Sequence, residues 1–184
     1  RSTLFPYTTL FRSRKQGRGR NSPSNHMPVI DFPDLKPLLV RDGRLMGLDV
    51  GSKTIGIATS DVLRTLATPL TTLKRAKLAA DLANLDQLVT RYEVKALVVG
   101  LPLNMDGTEG PRCQSVRQFV TNIANHAPPA LATLPVFFQD ERLSTAAVTR
   151  NMIDDYDMTR AKRAERVDAA AAAWILESVL ARLG

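Results

Sequence analysis

The chain has 184 residues, 44% of them hydrophobic, so it is long enough for one ordinary domain with a real core. Its single cysteine, Cys113, excludes an internal disulfide framework and any multi-cysteine zinc site, and no apolar run approaches the ~20 residues that span a bilayer. The net charge of +7 is typical of a nucleic-acid-binding protein, but residues 1–44 hold nine Lys and Arg against three Asp, which leaves only +1 for the rest.

Residues 1–44 are predicted to be a disordered or extended N-terminal segment. Residues 1–20 show neither helical nor strand periodicity, and residues 3–13 look like a translated sequencing adapter. Met27 is therefore the expected native start, which makes about the first 26 residues non-native. Pro28 to Arg44 contains three prolines and no period, so an extended lead-in is predicted there.

A globular domain is predicted over residues 45–184. Its strands have apolar runs bounded by turn residues, and its helices have apolar residues at three- and four-residue intervals. The strands are expected at 45–60 (a hairpin that turns at Gly51 and Ser52), 70–73, 95–100 and 135–139, and the helices at 78–92, 113–127, about 144–153 and about 163–183. A polar connector is expected at 154–162.

This order, β-β-β-α-β-α-β-α-α, predicts an α/β fold with a mixed five-stranded sheet. A three-strand antiparallel meander comes first and two parallel strands follow, with helices on both faces. In such sheets, sites form where strands end and loops emerge.

Asp49 is the unusual residue of the first strand, because the faces of that strand are otherwise apolar. Alternation puts Asp49 on the same face as Leu45 and Gly47. A carboxylate in apolar surroundings needs hydrogen bonds, a cation or a metal. The structural alternative is that Asp49 closes the turn by accepting hydrogen bonds from the amides of residues 51–53.

Two further places combine acids with apolar sequence. Asp140 and Glu141 follow the last strand, and Asp168 shares a helix face with Ala172 and Ile175. Acids from the first strand, the end of the last strand and the last helix can converge, and hard oxygen ligands of this kind suit Mg²⁺ or Mn²⁺. A pair of such ions catalyses phosphodiester hydrolysis.

Each of these acids also has a purely structural alternative. Asp168 complements the helix dipole if the last helix begins near it. Glu141 forms an ion pair with Arg142 or another arginine, and Asp140 caps the following turn.

Substrate contacts are expected beside these acids. The loop 101–110 contains glycines whose backbone can approach a phosphate closely, and Asn104 either contacts substrate there or satisfies the loop's own backbone. Lys53 and Arg142 are candidate phosphate ligands. Residues 47–54 nearly form a nucleotide-binding P-loop, but Ser52 replaces the glycine before the lysine, and a strand-like sequence follows where a helix should begin.

Four segments together resemble the YqgF family, also called RuvX, which is related to the Holliday junction resolvase RuvC and has a ribonuclease H-like fold. They are GLDVGSKTIGIA at 47–58, VGLPLNMDGTE at 99–109, DERLST at 140–145 and VDAAAA at 167–172. The resemblance implies a ribonuclease H-like sheet and a metal-dependent nuclease whose catalytic, metal-holding residues are Asp49, Glu141 and Asp168. Many ribonuclease H-like proteins have an acid at the end of the fourth strand, where this chain has Gly100, so Glu141 has to substitute for it.

The same resemblance implies a bacterial, cytoplasmic protein that trims the 5′ end of pre-16S rRNA, with ribosomal precursor particles as partners. No membrane association is expected, because no apolar run is long enough to span a bilayer. Two alternatives stay open: a Holliday junction resolvase that acts on branched DNA, and a nucleic-acid-binding module without turnover. A rival reading, the actin-like ATPase and sugar-kinase fold, needs two related domains, and this chain supplies one. Monomer and dimer are both compatible with the sequence.

Overall fold

The computed structural model describes residues 27–39, 43–142 and 160–184. Five strands form one sheet: β1 (Arg44–Val50), β2 (Thr54–Ser60), β3 (Ala67–Lys74), β4 (Val94–Leu101) and β5 (Val136–Asp140). The helices are α1 (Phe32–Leu38), α2 (Leu78–Arg91), α3 (Pro111–His126), α4 (Pro129–Ala132) and α5 (Arg160–Leu183).

The strand order in the sheet is β3-β2-β1-β4-β5. The pairs β1–β2 and β2–β3 are antiparallel, whereas β1–β4 and β4–β5 are parallel. The predicted α/β architecture, an antiparallel meander extended by two parallel strands, is therefore confirmed, and β1 lies at its centre. This is the ribonuclease H-like arrangement that the family resemblance implied.

The central strands are buried on both faces because helices cover the sheet from both sides. One face packs side chains such as Met46, Leu48 and Val99 against α2 and α3. The other face packs Leu45 and Val98 against α5, with α1 at its margin. Near-continuous apolar strands are what such a doubly covered sheet requires.

The lead-in before β1 differs from the extended segment predicted for 28–44. Phe32–Leu38 forms α1, with Pro33 in its first turn, where a missing amide donor costs nothing. Its Leu35 is fully buried, and the Phe32 and Phe137 rings pack in a T-shaped arrangement with their centroids 5.8 Å apart. The prediction was wrong here because a seven-residue helix with two prolines has too few turns to show a period.

Other boundaries shift more modestly. β3 is longer than predicted, α4 begins at the second of the two prolines that follow α3, and α5 begins at Arg160 instead of about residue 163. The helix predicted over about 144–153 and most of the connector at 154–162 lie outside the described residues, as do residues 1–26. Within the described part of the chain, no helix is both long and apolar enough to cross a membrane.

Candidate active site

Asp49 lies in the penultimate position of β1 and is 8% exposed, one of the few buried charged residues that the structure describes. Its strand neighbours on the same face, Leu45 and Gly47, contact the α5 side of the core. Asp49 therefore faces α5, as alternation predicted. The predicted turn that follows is closed by the Gly51 amide, which donates to the Thr54 carbonyl at 2.9 Å.

Asp168 reaches the same face through α5. Gly56 is the cross-strand partner of Asp49, and a Cβ atom on Gly56 would overlap the backbone carbonyl oxygen of Asp168. The main chain of Asp168 thus lies directly above the residue that pairs with Asp49. Because α5 begins at Arg160, Asp168 lies in the third turn of the helix, and the dipole explanation for this acid is wrong.

Glu141 approaches from the other side. β1 and β4 pair in parallel up to Leu48 and Val99, and continuing that register by one residue sets Asp49 beside Gly100. A Cβ atom on Gly100 would overlap Oε1 of Glu141, so this carboxylate lies above Gly100. Adjacent strands are ~4.8 Å apart, and Asp49 and Glu141 therefore occupy neighbouring positions on one face.

The three acids agree with a divalent-cation site in chemistry and in location, since all are hard oxygen donors at one end of β1. Among the residues that the structure describes, no group of three His, Cys, Asp or Glu side chains is close enough to hold a metal ion. The arrangement thus brings the three acids to one face of the sheet.

Arg142 is paired with Asp140 and not with Glu141. Its guanidinium donates to the Asp140 carboxylate at 2.7 and 2.9 Å, and its backbone amide donates to the same carboxylate at 2.9 Å. These hydrogen bonds outweigh partial burial and lower the pKa of Asp140, while the pKa of Arg142 is raised. Asp140 therefore caps the turn around Glu141, as its structural alternative predicted.

Asn104 stabilises its own loop. Its side-chain amide donates to the Thr108 hydroxyl at 2.9 Å, and its backbone carbonyl accepts from the Gly107 amide at 2.8 Å. Gly107 has a φ of 87°, in the left-handed region that favours glycine. The loop is thus a preformed turn beside Arg142, whose Nη1 lies 3.0 Å from the Cβ position of Gly107.

Lys53 is exposed in the β1–β2 turn. The turn is attached to the β3–α2 junction by Arg75, whose backbone amide donates to the Lys53 carbonyl at 2.8 Å and whose guanidinium donates to the Gly51 carbonyl at 3.1 Å. β2 follows the turn directly, which excludes the P-loop alternative, since a P-loop leads into a helix.

Three residues that position this site were missed at the sequence level. Gly56 and Gly100 permit the close approach of Asp168 and Glu141, and Arg75 fastens the turn after Asp49. Isolated glycines inside strand patterns are a known signal of such close approach, so the two glycines could have been found. The role of Arg75 depends on contacts between distant parts of the chain and has no local signal.

The mixed five-stranded sheet, with helices on both faces, puts this protein in the class of α/β proteins with a ribonuclease H-like fold. Acids from β1, from the end of β5 and from α5 lie on one face of that sheet. Comparison with known proteins defines the family: residues 43–182 match the model described as "RuvX: Holliday junction resolvase". The chain therefore belongs to the RuvX family.

Curated relatives share about half of their residues with this chain. A protein of Caulobacter vibrioides (strain NA1000 / CB15N), named "Putative pre-16S rRNA nuclease", is 48% identical over 157 residues, which cover 85% of this chain and 98% of that protein. A protein of the same name from Paramagnetospirillum magneticum is 51% identical over 154 residues, covering 84% and 96%. Among solved structures, RuvC from T. thermophilus in complex with a Holliday junction substrate is 16% identical and superposes with a TM-score of 0.49 over 77% of this chain and 96% of RuvC.

Proposed function

We propose that this protein is a divalent-metal-dependent endonuclease that hydrolyses phosphodiester bonds at the 5′ end of pre-16S rRNA. The observation that carries the proposal is the placement of Asp49, buried on the α5 face between Gly56 under Asp168 and Gly100 under Glu141. Membership of the RuvX family and the names of the curated relatives support nuclease chemistry and an rRNA substrate.

Asp49, Glu141 and Asp168 are the residues that would hold Mg²⁺ or Mn²⁺. Two such ions, when bound, supply the positive charge that activates water and stabilises the leaving oxygen of a phosphodiester. The protein's own contribution is positional: β1 fixes Asp49 in a poorly hydrated place, and α5 and the turn after β5 bring the other two acids to the same face.

Lys53, Asn104 and Arg142 are proposed substrate contacts. Lys53 extends from the turn that follows Asp49, whereas Asn104 and Arg142 lie on the β4–α3 loop and after β5. Arg142 can contact a phosphate only by sharing or leaving the Asp140 carboxylate. We place the reaction in the cytoplasm, on ribosomal precursor particles.

The proposal is tested with purified protein that begins at Met27. An RNA that contains the mature 5′ end of 16S rRNA and its leader is incubated with Mg²⁺, Mn²⁺ or EDTA, in parallel with a four-way DNA junction. Cleavage of the RNA at one position with either metal, and none in EDTA, supports the proposal. Cleavage of the junction alone would favour the resolvase alternative. That alternative is supported by membership of a family described as a Holliday junction resolvase.

The third possibility is a binding module without turnover. Tight binding of the RNA, combined with the absence of cleavage of RNA and junction under every metal condition, would establish it and contradict the proposed activity. Glu141→Gln and Asp168→Asn serve as internal controls, because a contaminating nuclease would be unaffected by either substitution.

A further inference from the structure

Three exposed lysines, Lys53, Lys74 and Lys77, come together at the β3 side of the candidate active site; we call them the basic corner. Lys53 lies in the β1–β2 turn, Lys74 ends β3, and Lys77 precedes the first residue of α2. The turn and the β3–α2 junction are neighbours, since the Arg75 amide donates to the Lys53 carbonyl at 2.8 Å. Exposed lysines from two separate parts of the chain thus lie at one corner of the sheet.

Arg75 holds the backbone beneath the basic corner in place. Its guanidinium donates to the Gly51 carbonyl at 3.1 Å, lies 5.1 Å from the centre of the Phe119 ring, and is 3.9 Å from the buried Asp81 carboxylate. Asp81 in turn accepts a hydrogen bond from the Ala76 amide at 3.0 Å. The charge of Arg75 is therefore used internally, and the backbone that presents the three lysines is held in place.

The basic corner lies next to the acids on the sheet. Asp49 pairs with Gly56, and Gly56 pairs with Thr72 on β3. Two residues from Gly56 along β2, toward the β1–β2 turn, Thr54 pairs with Lys74. Paired residues share a face of the sheet, and so do residues two apart along a strand, so Lys74 lies on the α5 face together with Asp49. Lys74 is two strands away from Asp49 across the sheet and two residues farther along the strands.

On the opposite side of the site, next to β5, two arginines are paired with acids: Arg142 with Asp140, and Arg117 with both oxygens of Glu109. By contrast, the side chains of Lys53 and Lys77 make no hydrogen bond or ion pair with any other residue that the structure describes. Lys53 and Lys77 thus leave exposed positive charge on the β3 side of the acids.

We propose that the basic corner binds consecutive backbone phosphates of the RNA strand on one side of the scissile bond, so that the substrate enters the site across the β1–β2 turn. Exposed lysines attract phosphates through counterion release without reading sequence, which suits a surface that positions a strand beside acids that cleave it. The inference rests on the proposed nuclease function for what happens at the acids, but phosphate binding by the corner does not depend on cleavage.

The test measures binding in EDTA, where no metal-dependent cleavage occurs. Wild type and Lys53→Ala/Lys77→Ala are titrated with a fluorescently labelled single-stranded RNA that contains the 5′ leader of 16S rRNA, over a series of salt concentrations. The matched control is Arg91→Ala/Lys95→Ala, which removes two exposed cations at the end of α2 and the start of β4, at the opposite end of the strands from the basic corner. Lys53→Arg/Lys77→Arg tests rescue by charge alone.

The basic-corner variant is expected to bind about tenfold more weakly at low salt, and the slope of log Kd against log salt should fall by about 0.7 for each lysine removed, the value for a single strand. The control and the arginine variant should bind like wild type. Equal weakening by both alanine variants, or unchanged binding by the basic-corner variant, would overturn the inference. If the corner is needed for binding but wild type cleaves nothing with Mg²⁺ or Mn²⁺, the inference stands and the proposed function fails.

Discussion

The backbone carbonyl oxygen of Asp168 lies directly above Gly56, so close that the Cβ atom of any other residue at position 56 would overlap it. The helix that carries the third acid can approach the sheet this closely because β2 has no side chain there. Gly47, two residues before Asp49 on β1, allows an equally close approach. A Cβ atom there would lie 2.6 Å from the Ala172 carbonyl oxygen. Glycines in the hairpin thus set the height of α5 above Asp49.

Gly56→Ala should destabilise the protein by about 3 kcal/mol, since the added methyl group meets helix backbone that cannot rotate away. Urea unfolding of both proteins measures the difference. Gly184→Ala is the control, because a Cβ there has no described atom within 4 Å. A Gly56→Ala variant as stable as wild type would show that α5 does not lie where the structure puts it.

Gly100→Ala should act on function more than on stability. Its Cβ would overlap the end of the Glu141 side chain and lie 2.6 Å from Cδ1 of Ile175, and both are side-chain atoms that can move. We expect a loss of less than ~1.5 kcal/mol in stability but a roughly tenfold weaker affinity for Mn²⁺, because Glu141 is displaced. Calorimetric titration with Mn²⁺ checks this, and an unchanged affinity would remove Glu141 from the metal-binding set.

The sequence predicted the sheet and its faces because each depends on local patterns. The alternation in β1 placed Asp49 beside Leu45 and Gly47, and the spacing in the last helix placed Asp168 with Ala172. Helix α1 escaped prediction because its seven residues contain two prolines. The partner of Arg142 also escaped: two adjacent acids were available, and only the geometry of the turn favours Asp140 over Glu141.

Arg142→Ala should raise the pKa of Asp140 toward the ordinary value of an aspartate, since hydrogen bonds from Arg142 lower it. A carboxyl with a lowered folded-state pKa contributes stability above its unfolded pKa and loses that contribution as pH falls through the folded value. The wild type should therefore lose this contribution on acidification, and Arg142→Ala should lose less. NMR titration of the Asp140 carboxyl carbon measures the shift, and an identical pKa in the two proteins would contradict the pairing.

Arg75→Ala should cost about 2 kcal/mol, because it removes the hydrogen bond to Gly51 and the ring contact with Phe119 and leaves Asp81 with fewer partners. Thermal and urea unfolding report the loss. Arg91→Ala is the matched control, as the exposed Arg91 contacts the ring of Tyr92. Equal losses in the two variants would show that Arg75 does not fasten the turn that follows Asp49.

What the sequence could not supply is the distance between the acids. It indicated that Asp49, Glu141 and Asp168 belong to one end of the sheet, and the structure places them on one face there. The spacing depends on how closely α5 and the turn after β5 approach, which is decided by Gly56 and Gly100 across the fold. As placed, the described acids do not form a three-ligand metal group, so their role as metal ligands stays a prediction.

The most direct test compares single-turnover cleavage of the pre-16S RNA by wild type, Asp49→Asn and Asp34→Asn in Mn²⁺. Asp34 is an exposed aspartate on α1, so its substitution makes the same chemical change away from the site. Asp49→Asn should fold and bind the RNA but cleave it at least about a hundredfold more slowly, whereas Asp34→Asn should match wild type. Cleavage by Asp49→Asn at the wild-type rate would contradict the account of this protein as a nuclease centred on Asp49.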